Sequence, residues 1–277
     1  MLAICRLPII FCGEDENLAA EYQQLFKEFF VSSIPANKGP ALEVAIESGE
    51  DMDVSGYDYE LAPFRFLKSG DEIKVWNRYC RDGYVLLKAP WNRAVIHETA
   101  SVSDITRLNL FQMAFSSFLS NNQGIFMHGA VIAYQNSGII FTASPGGGKS
   151  TQADLWQHRL GAEIINGDKA MLCLNERGTM VYGSPWSGSS DYKLNKGVLL
   201  KAVIVLEKGD SNKIRLMKGA ERLSELGVHI YFPYWCKALI DSTMLGLDEL
   251  FKCVPVYQLI CKPDEEAVHL VKETVFM

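Results

Sequence analysis

The sequence of 277 residues is short of several features that would have narrowed its function at once. It has no apolar run of the roughly 20 residues that a membrane-spanning helix needs. Its most apolar N-terminal stretch, MLAICRLPIIFC, is short and is interrupted by Arg6. That stretch has neither signal-peptide flanks nor a small-residue cleavage site, so it reads as a buried strand rather than a targeting segment. An excess of positive charge is also missing. The formal net charge is −6, which gives no electrostatic footprint for nucleic acid, although a small site can still be locally positive. Seven cysteines are present, an odd number without any C-x-x-C spacing, and most sit in apolar runs such as AMLCL and YQLIC. That argues against a disulfide framework or a zinc set and predicts reduced core residues of a cytoplasmic protein. Internal repeats and low-complexity segments are absent as well.

What is present is an ordinary globular composition, 48% apolar and 22% charged, in a chain long enough for two domains. The first hundred residues read as mainly β with one early helix. Leu18, Tyr22, Leu25 and Phe29 have helical spacing. SSIPANKGP is a loop by composition, ALEVAIES alternates as a strand, and EIKVWNRYCRDGYVLLKA reads as a hairpin turning near Arg81-Asp82-Gly83. A second helix is expected over 103–120, with Ser103 as N-cap and Ile105, Leu108, Phe111 and Phe115 facing a core. The domain boundary is placed just before it, giving units of 1–100 and 101–277. Beyond residue 125 strands and helices alternate, and the last helix follows Pro263. The expected fold class is α/β with a mixed sheet, preceded by a smaller, mainly β domain.

One stretch carries chemistry: FTASPGGGKST, residues 141–151. A hydrophobic run leads into three glycines, then Lys149, Ser150, Thr151 and a helix. The pattern Ala143-x4-Gly148-Lys149-Ser150 matches a P-loop except at its first position. Glycines let successive backbone N–H groups curve around phosphate oxygens, and the helix start adds its positive end. The reading assigns phosphate binding to Ser144, Pro145, Gly146, Gly147, Gly148, Lys149, Ser150 and Thr151. The Lys149 ammonium reaches the outer phosphates, and the Ser150 hydroxyl suits Mg²⁺. Ala143 is tolerable provided its dihedrals stay those of a strand end.

Two other residues are expected at the same place. A helix over 150–160 travels away from the loop, Gly161 ends it, and the strand AEIIN returns over a comparable distance. Asp168 therefore comes back to the phosphate edge, to bind Mg²⁺ or to accept a proton from an attacking hydroxyl. His128 is placed by hairpin pairing. If Tyr134 pairs with Ile139 across QNSG, position 128 faces position 145, and the imidazole can donate to phosphate or handle the substrate proton. The later segment GSPWSGSSDYKLNKG is either a substrate loop, in which Trp186 covers an acceptor and Lys193 or Lys196 meets phosphate, or a solvated connector. HIYFPYWCK, residues 229–237, reads as buried aromatic core in preference to a pocket wall.

Taken together, MHGAVIAYQNSGIIFTASPGGGKST and, one helix later, EIINGDKAML resemble the HPr kinase/phosphorylase family, whose core is related to phosphoenolpyruvate carboxykinases. In that family a His-Gly strand leads into a P-loop and an acidic pair follows at this short spacing. The ending CVPVYQLICKPDEEAVHLV looks like that of HPr-kinase-like proteins encoded beside ribosomally made peptides. Some of these resemble enzymes that phosphorylate a serine of a lasso-peptide precursor. The resemblance covers roughly residues 103–277. It departs from the family at Gly167-Asp168, where only the second acid of the pair remains, and in lacking the glycine-rich signature that helps bind HPr.

The resemblance implies a kinase that uses ATP, or another nucleoside triphosphate, with Mg²⁺ to phosphorylate a hydroxyl, most simply a serine of a peptide or protein. Asp168, His128 and Lys149 would be catalytic, with Ser150 and Asp168 on the metal. The N-terminal domain would recruit substrate. A kinase or carboxykinase-like enzyme acting on a small molecule and a nucleotide-sensing regulator without chemistry stay open, as does a homo-oligomer. No nucleic acid and no membrane is expected as partner.

Overall fold

The computed structural model describes residues 2–12, 16–31, 40–49, 54–175, 178–188 and 190–277. The loop expected at 32–40 lies almost wholly outside these, as do the side chain of Leu18 and the middle of the turn NERG. The chain is α/β with mixed sheets and two compact units. The first comprises Met1–Asn122 with Pro233–Ile240, the second Gln123–Phe232 with Asp241–Met277.

The first unit holds β1 (Leu2–Ile4), β2 (Leu7–Cys12), α1 (Glu16–Leu25), β3 (Leu42–Ser48), β4 (Tyr59–Leu61), β5 (Phe64–Ser69), β6 (Glu72–Asn77), β7 (Gly83–Lys88), β8 (Arg93–Glu98) and α2 (Asp104–Asn121). Its eight strands run in the order β1-β2-β3-β8-β7-β6-β5-β4, parallel at β2-β3-β8 and antiparallel elsewhere. Period-two patterning produces these strands: Leu42, Val44 and Ile46 are buried and Glu43 is exposed. The hairpin β6–β7 forms as expected.

Helix α2 is capped by the Ser103 side chain, which accepts from the Thr106 N–H. Its buried face differs from the expected one. Ile105 is 69% exposed, whereas Leu110, Phe111 and Phe115 are buried. The first turn instead turns Thr106 and Arg107 inward, because Arg107 pairs with the buried carboxylate of Glu98 at 2.8 Å. Helix α2 also packs on β6 and β7. The compact units therefore divide at Asn122/Gln123 rather than at 100/101. The cysteines differ from expectation as well. All seven are free, but only Cys5 is buried, while Cys12 and Cys253 are exposed.

The second unit continues with β9 (Ile125–His128), β10 (Ala130–Tyr134), β11 (Ser137–Thr142), α3 (Lys149–Leu160), β12 (Glu163–Asn166), β13 (Lys169–Asn175), β14 (Gly178–Tyr182), β15 (Gly197–Lys208), β16 (Lys213–Leu216), α4 (Glu221–Gly227), α5 (Lys237–Cys253, from Asp241 onward in this unit), β17 (Val256–Cys261) and α6 (Glu265–Phe276). Strands β11, β15 and β17 lie parallel and side by side. Such strands are buried on both faces. Ile139 and Phe141 point into one apolar cluster with Trp156 and Val271, and Ile140 into the other with Leu247 and Leu250.

The ladder of this unit returns on itself. Strands β9 and β10 are one chain segment bent at Gly129, and β12 and β13 are another bent at Gly167-Asp168. The two pair antiparallel along both halves, β10 with β12 and β9 with β13. From β10 the sheet also runs the other way, through β11, β15 and β14 to β13. The double bend is where the candidate site forms.

The hairpin β10–β11 corrects the expected register. Tyr134 pairs with Ser137, not Ile139. Gln135 and Asn136 alone make the turn, with φ of 48° and 59°, as a two-residue type I′ turn requires. The expected pairing of 128 with 145 is therefore not formed. His128 pairs across to Lys169 on β13 instead.

Candidate functional site

The glycine loop leaves β11 and enters α3 as expected. Gly146 and Gly148 have φ of 73° and 98°, values that other residues adopt only under strain. Gly147 N donates to Ser144 O at 2.9 Å, and a Cβ on Gly147 would come within 2.6 Å of the Ala143 Cβ. Ala143 itself is buried and keeps a negative φ, so an alanine fits where the P-loop pattern has glycine. No side chain caps the N-terminus of α3, and its first turn carries no acidic residue. Its leading amides and positive end are left for an anion. Lys149 is 8% exposed, and its Nζ donates to Ala143 O at 3.3 Å across the loop. Burial lowers its pKa, and the negative charge of Asp168 opposes that shift. Ser144, Pro145, Gly146, Ser150 and Thr151 are exposed around this cradle.

The bend at Gly167-Asp168 brings the carboxylate in. Gly129 N donates to Asp168 O at 2.7 Å, which closes the backbone there. The side chain of Asn166, fully buried, organises the rest. Its Oδ1 accepts from the N–H groups of Asp168 and Lys169 at 2.8 and 2.7 Å, and its Nδ2 donates to the carbonyls of Ser184 and Trp186. His128 is held by Thr142 Oγ1, which donates to its carbonyl at 2.7 Å, and by His229 O, which accepts from its N–H at 2.7 Å. The result places His128 Nδ1 3.0 Å from Asp168 Oδ1. The ring N–H is not aimed along that line, so the contact is close without being an aligned hydrogen bond. Burial pushes the Asp168 pKa up, but His128, Lys169 and Lys149 together outweigh it, and the carboxyl ends below its ordinary range. Sequence reasoning thus reached His128, Asp168 and Lys149 together, His128 by a register that does not exist.

Three neighbours escaped it. Lys169 lies beside Asp168, with its Nζ 5.6 Å from the centroid of the Tyr231 ring. Burial lowers its pKa and Asp168 opposes the shift. His229 has its pKa lowered by burial and then by the positive charges of His128 and Lys149. Burial and the Asp168 charge push Tyr231 up to about 12. His229 and Tyr231 belong to the segment read as aromatic core. The structure half-buries both and pairs their segment with β9 through Tyr231 N and Phe126 O at 2.8 Å. Only the pairing of Met127 with Ile230, invisible to periodicity, would have located them.

The segment 183–196 begins buried at 183–186 and is anchored through its backbone, while Tyr192, Leu194 and Lys196 are exposed. Leu194 N donates to Ile165 O and Gly183 N to Lys196 O. Trp186 is 4% exposed and sits edge-on against Phe126, so it does not offer a cover for an acceptor. Lys196 is paired with Glu163, at the end of β12 away from Asp168, rather than with a phosphate position. Lys193 is half-buried and pairs through its backbone with Asn166. The segment reaches the site through two other residues. A Cβ on Gly188 would lie 2.9 Å from Asp168 Cγ, and one on Gly167 would lie 1.9 Å from Ser190 Oγ. The Ser190 hydroxyl thus fills the space that a second acid at 167 would need.

Among the described residues no group of three or more His, Cys, Asp and Glu converges as a metal set, and no helix is long and apolar enough to cross a membrane. The oxygens of Asp168 and Ser150 are hard donors of the kind Mg²⁺ takes. No protein-family model matches the chain, and no curated protein gives a significant match.

Proposed function

We propose that the second unit binds a nucleoside triphosphate with Mg²⁺ and transfers its terminal phosphoryl group to a hydroxyl, in keeping with the resemblance to HPr-kinase-like serine kinases. One observation carries this reading: Lys149, Asp168 and His128 share a single electrostatic neighbourhood beside the uncapped start of α3. Phosphoryl transfer asks a protein mainly for positioning and charge. The amides of residues 144–149 would hold the phosphates, and Lys149 would offset charge on the transferred group. Ser150 and Asp168 would hold the metal, which neutralises phosphate charge when bound. The acceptor's proton would pass to Asp168, with His128 beside it. The acceptor favoured is a serine of a peptide or protein, such as a ribosomally made precursor.

The test is incubation of the full chain with labelled ATP, Mg²⁺ and serine-bearing peptides. Transfer should fall about 100-fold or more in Lys149→Met and in Asp168→Asn. A second reading, a nucleotide sensor without chemistry, draws on the single acid at the bend, where Ser190 occupies the space beside Gly167. It would give nucleotide binding without transfer to any acceptor, and indifference to Asp168→Asn.

A further inference from the structure

The segment after β14 contains the run Ser187-Gly188-Ser189-Ser190, and backbone contacts hold its two flanks. On one side Gly188 lies on the Asp168 side chain, where a Cβ would come within 2.9 Å of Cγ and 3.1 Å of Oδ1. On the other, Tyr192 O accepts from Gly167 N at 3.3 Å, and Leu194 N donates to Ile165 O at 2.8 Å. Ser190 stands between these anchors, with its Oγ against Gly167, the residue bonded to Asp168. All of them belong to the second unit.

The fold fills space with Ser190 but leaves its hydroxyl unused. Among the described residues that hydroxyl makes no hydrogen bond, and the residue is half-buried, not enclosed. It also sits on the same edge of the sheet as the glycine loop. Strand β10 pairs antiparallel with both β11 and β12, so β11 and β12 run in one direction. The loop leaves the end of β11, and Gly167-Asp168 leaves the end of β12. Two strand spacings, roughly 10 Å, separate those ends, and the Asp168 charge is felt at Lys149 across them.

We infer that Ser190 is a modification site, the hydroxyl of this chain to which the second unit transfers a phosphoryl group when no outside acceptor is bound. This inference rests on the reading of that unit as a kinase that uses a nucleoside triphosphate. In the step, the Ser190 oxygen forms a bond to the γ-phosphorus, and the bond from that phosphorus to the β–γ bridging oxygen breaks. The hydroxyl proton goes to the Asp168 carboxylate. The nucleoside diphosphate leaves with the bridging oxygen and its electron pair. A hydroxyl held beside the acid by its own backbone needs no encounter, so it reacts as a tethered acceptor.

The full chain is incubated with γ-labelled ATP and Mg²⁺, with and without a serine peptide, and the label is located by proteolysis and fragmentation mass spectrometry. Without peptide, label should appear on Ser190, and the initial rate per chain should hold when the protein is diluted about tenfold, as a tethered reaction requires. Ser190→Ala should lower incorporation into the chain by about tenfold or more, while the peptide is still phosphorylated. Lys149→Met should carry no label; label there comes from another kinase and overturns the inference. The mapping on the unsubstituted chain stands even if a variant fails to fold. A labelled peptide beside an unlabelled chain, or label confined to other residues of the chain, overturns the role of Ser190 and leaves the proposed function intact. A rate per chain that rises in proportion to concentration overturns transfer within one chain. Label on neither the chain nor the peptide removes both.

Discussion

Single residues at the bend explain each other. Gly167 is small because Ser190 Oγ stands where its Cβ would be, and Gly188 is small because the Asp168 carboxylate lies against it. An acid at 167 would therefore have to displace the 183–196 segment from β12. His229 and, in the first unit, His97 have consequences for pH, because burial lowers the pKa of both. His229 faces the positive charges of His128 and Lys149 in a half-buried place, and its folded pKa lies below the ordinary 6.5. As pH falls through that ordinary value, the unfolded chain takes up a proton before the folded chain does, so stability declines on acidification. Asp168, also depressed, adds a loss of the same sign but only as pH falls below its ordinary 3.8. Between pH 7.5 and 5.5 the melting temperature should drop, and His229→Gln should flatten that drop. An equal slope in the variant would mean that other groups set it.

At the scale of the element, the site depends on a break in a ladder more than on any regular strand. Asn166 spans the break, with its carbonyl serving two backbone N–H groups and its amide serving the segment after β14. Asn166→Ala leaves these buried groups unsatisfied and should cost about 2–4 kcal/mol, read as a lower urea midpoint at unchanged slope. A change under about 0.5 kcal/mol would show that the bend holds without it. Elements with a strong local signal were legible in the sequence. The glycine loop, Ser103 as cap, Gly161 as stop, and the return of β12 to Asp168 all follow from composition and rise per residue. The register of β10–β11 was not legible, because QNSG allows either a four-residue or a two-residue turn. The two φ values above zero that decide it, at Gln135 and Asn136, leave no mark on hydrophobic alternation. The start of α2 misled for a different reason: the pull of Glu98 on Arg107 rotates the helix away from its most apolar face. Trp186 misled because an indole among hydroxyl residues looks exposed, while Phe126, some sixty positions earlier, buries it.

For the molecule as a whole, the division of labour follows from where the candidate residues come from. The glycine loop, Asp168, His128, His229 and Ser190 all belong to the second unit. The first unit contributes none of them, and its own polar centre is structural. Tyr22 donates to Glu98 at 2.8 Å, Arg107 holds the same carboxylate from the other side, and Glu21 meets Arg107 at the surface. Removing residues 1–100 is therefore a poor test of substrate recruitment. It strips the sheet from under α2, exposes Phe111 and Phe115, and is expected to give an aggregating product, whatever the unit does. Amide hydrogen exchange on the intact chain avoids that problem. Nucleotide with Mg²⁺ should slow exchange at 143–152, 166–169 and 208–210, since a ligand shifts local opening equilibria where it binds. The central strands of the first unit, β3 and β8, should exchange at the same rate with and without it. Protection of β3 and β8 as strong as that of the glycine loop would take nucleotide binding out of the second unit alone. Slowed exchange at the loop but not at 208–210, which line a cavity with Gly146 and Gly148, would keep the phosphate cradle and confine the bound nucleotide to it.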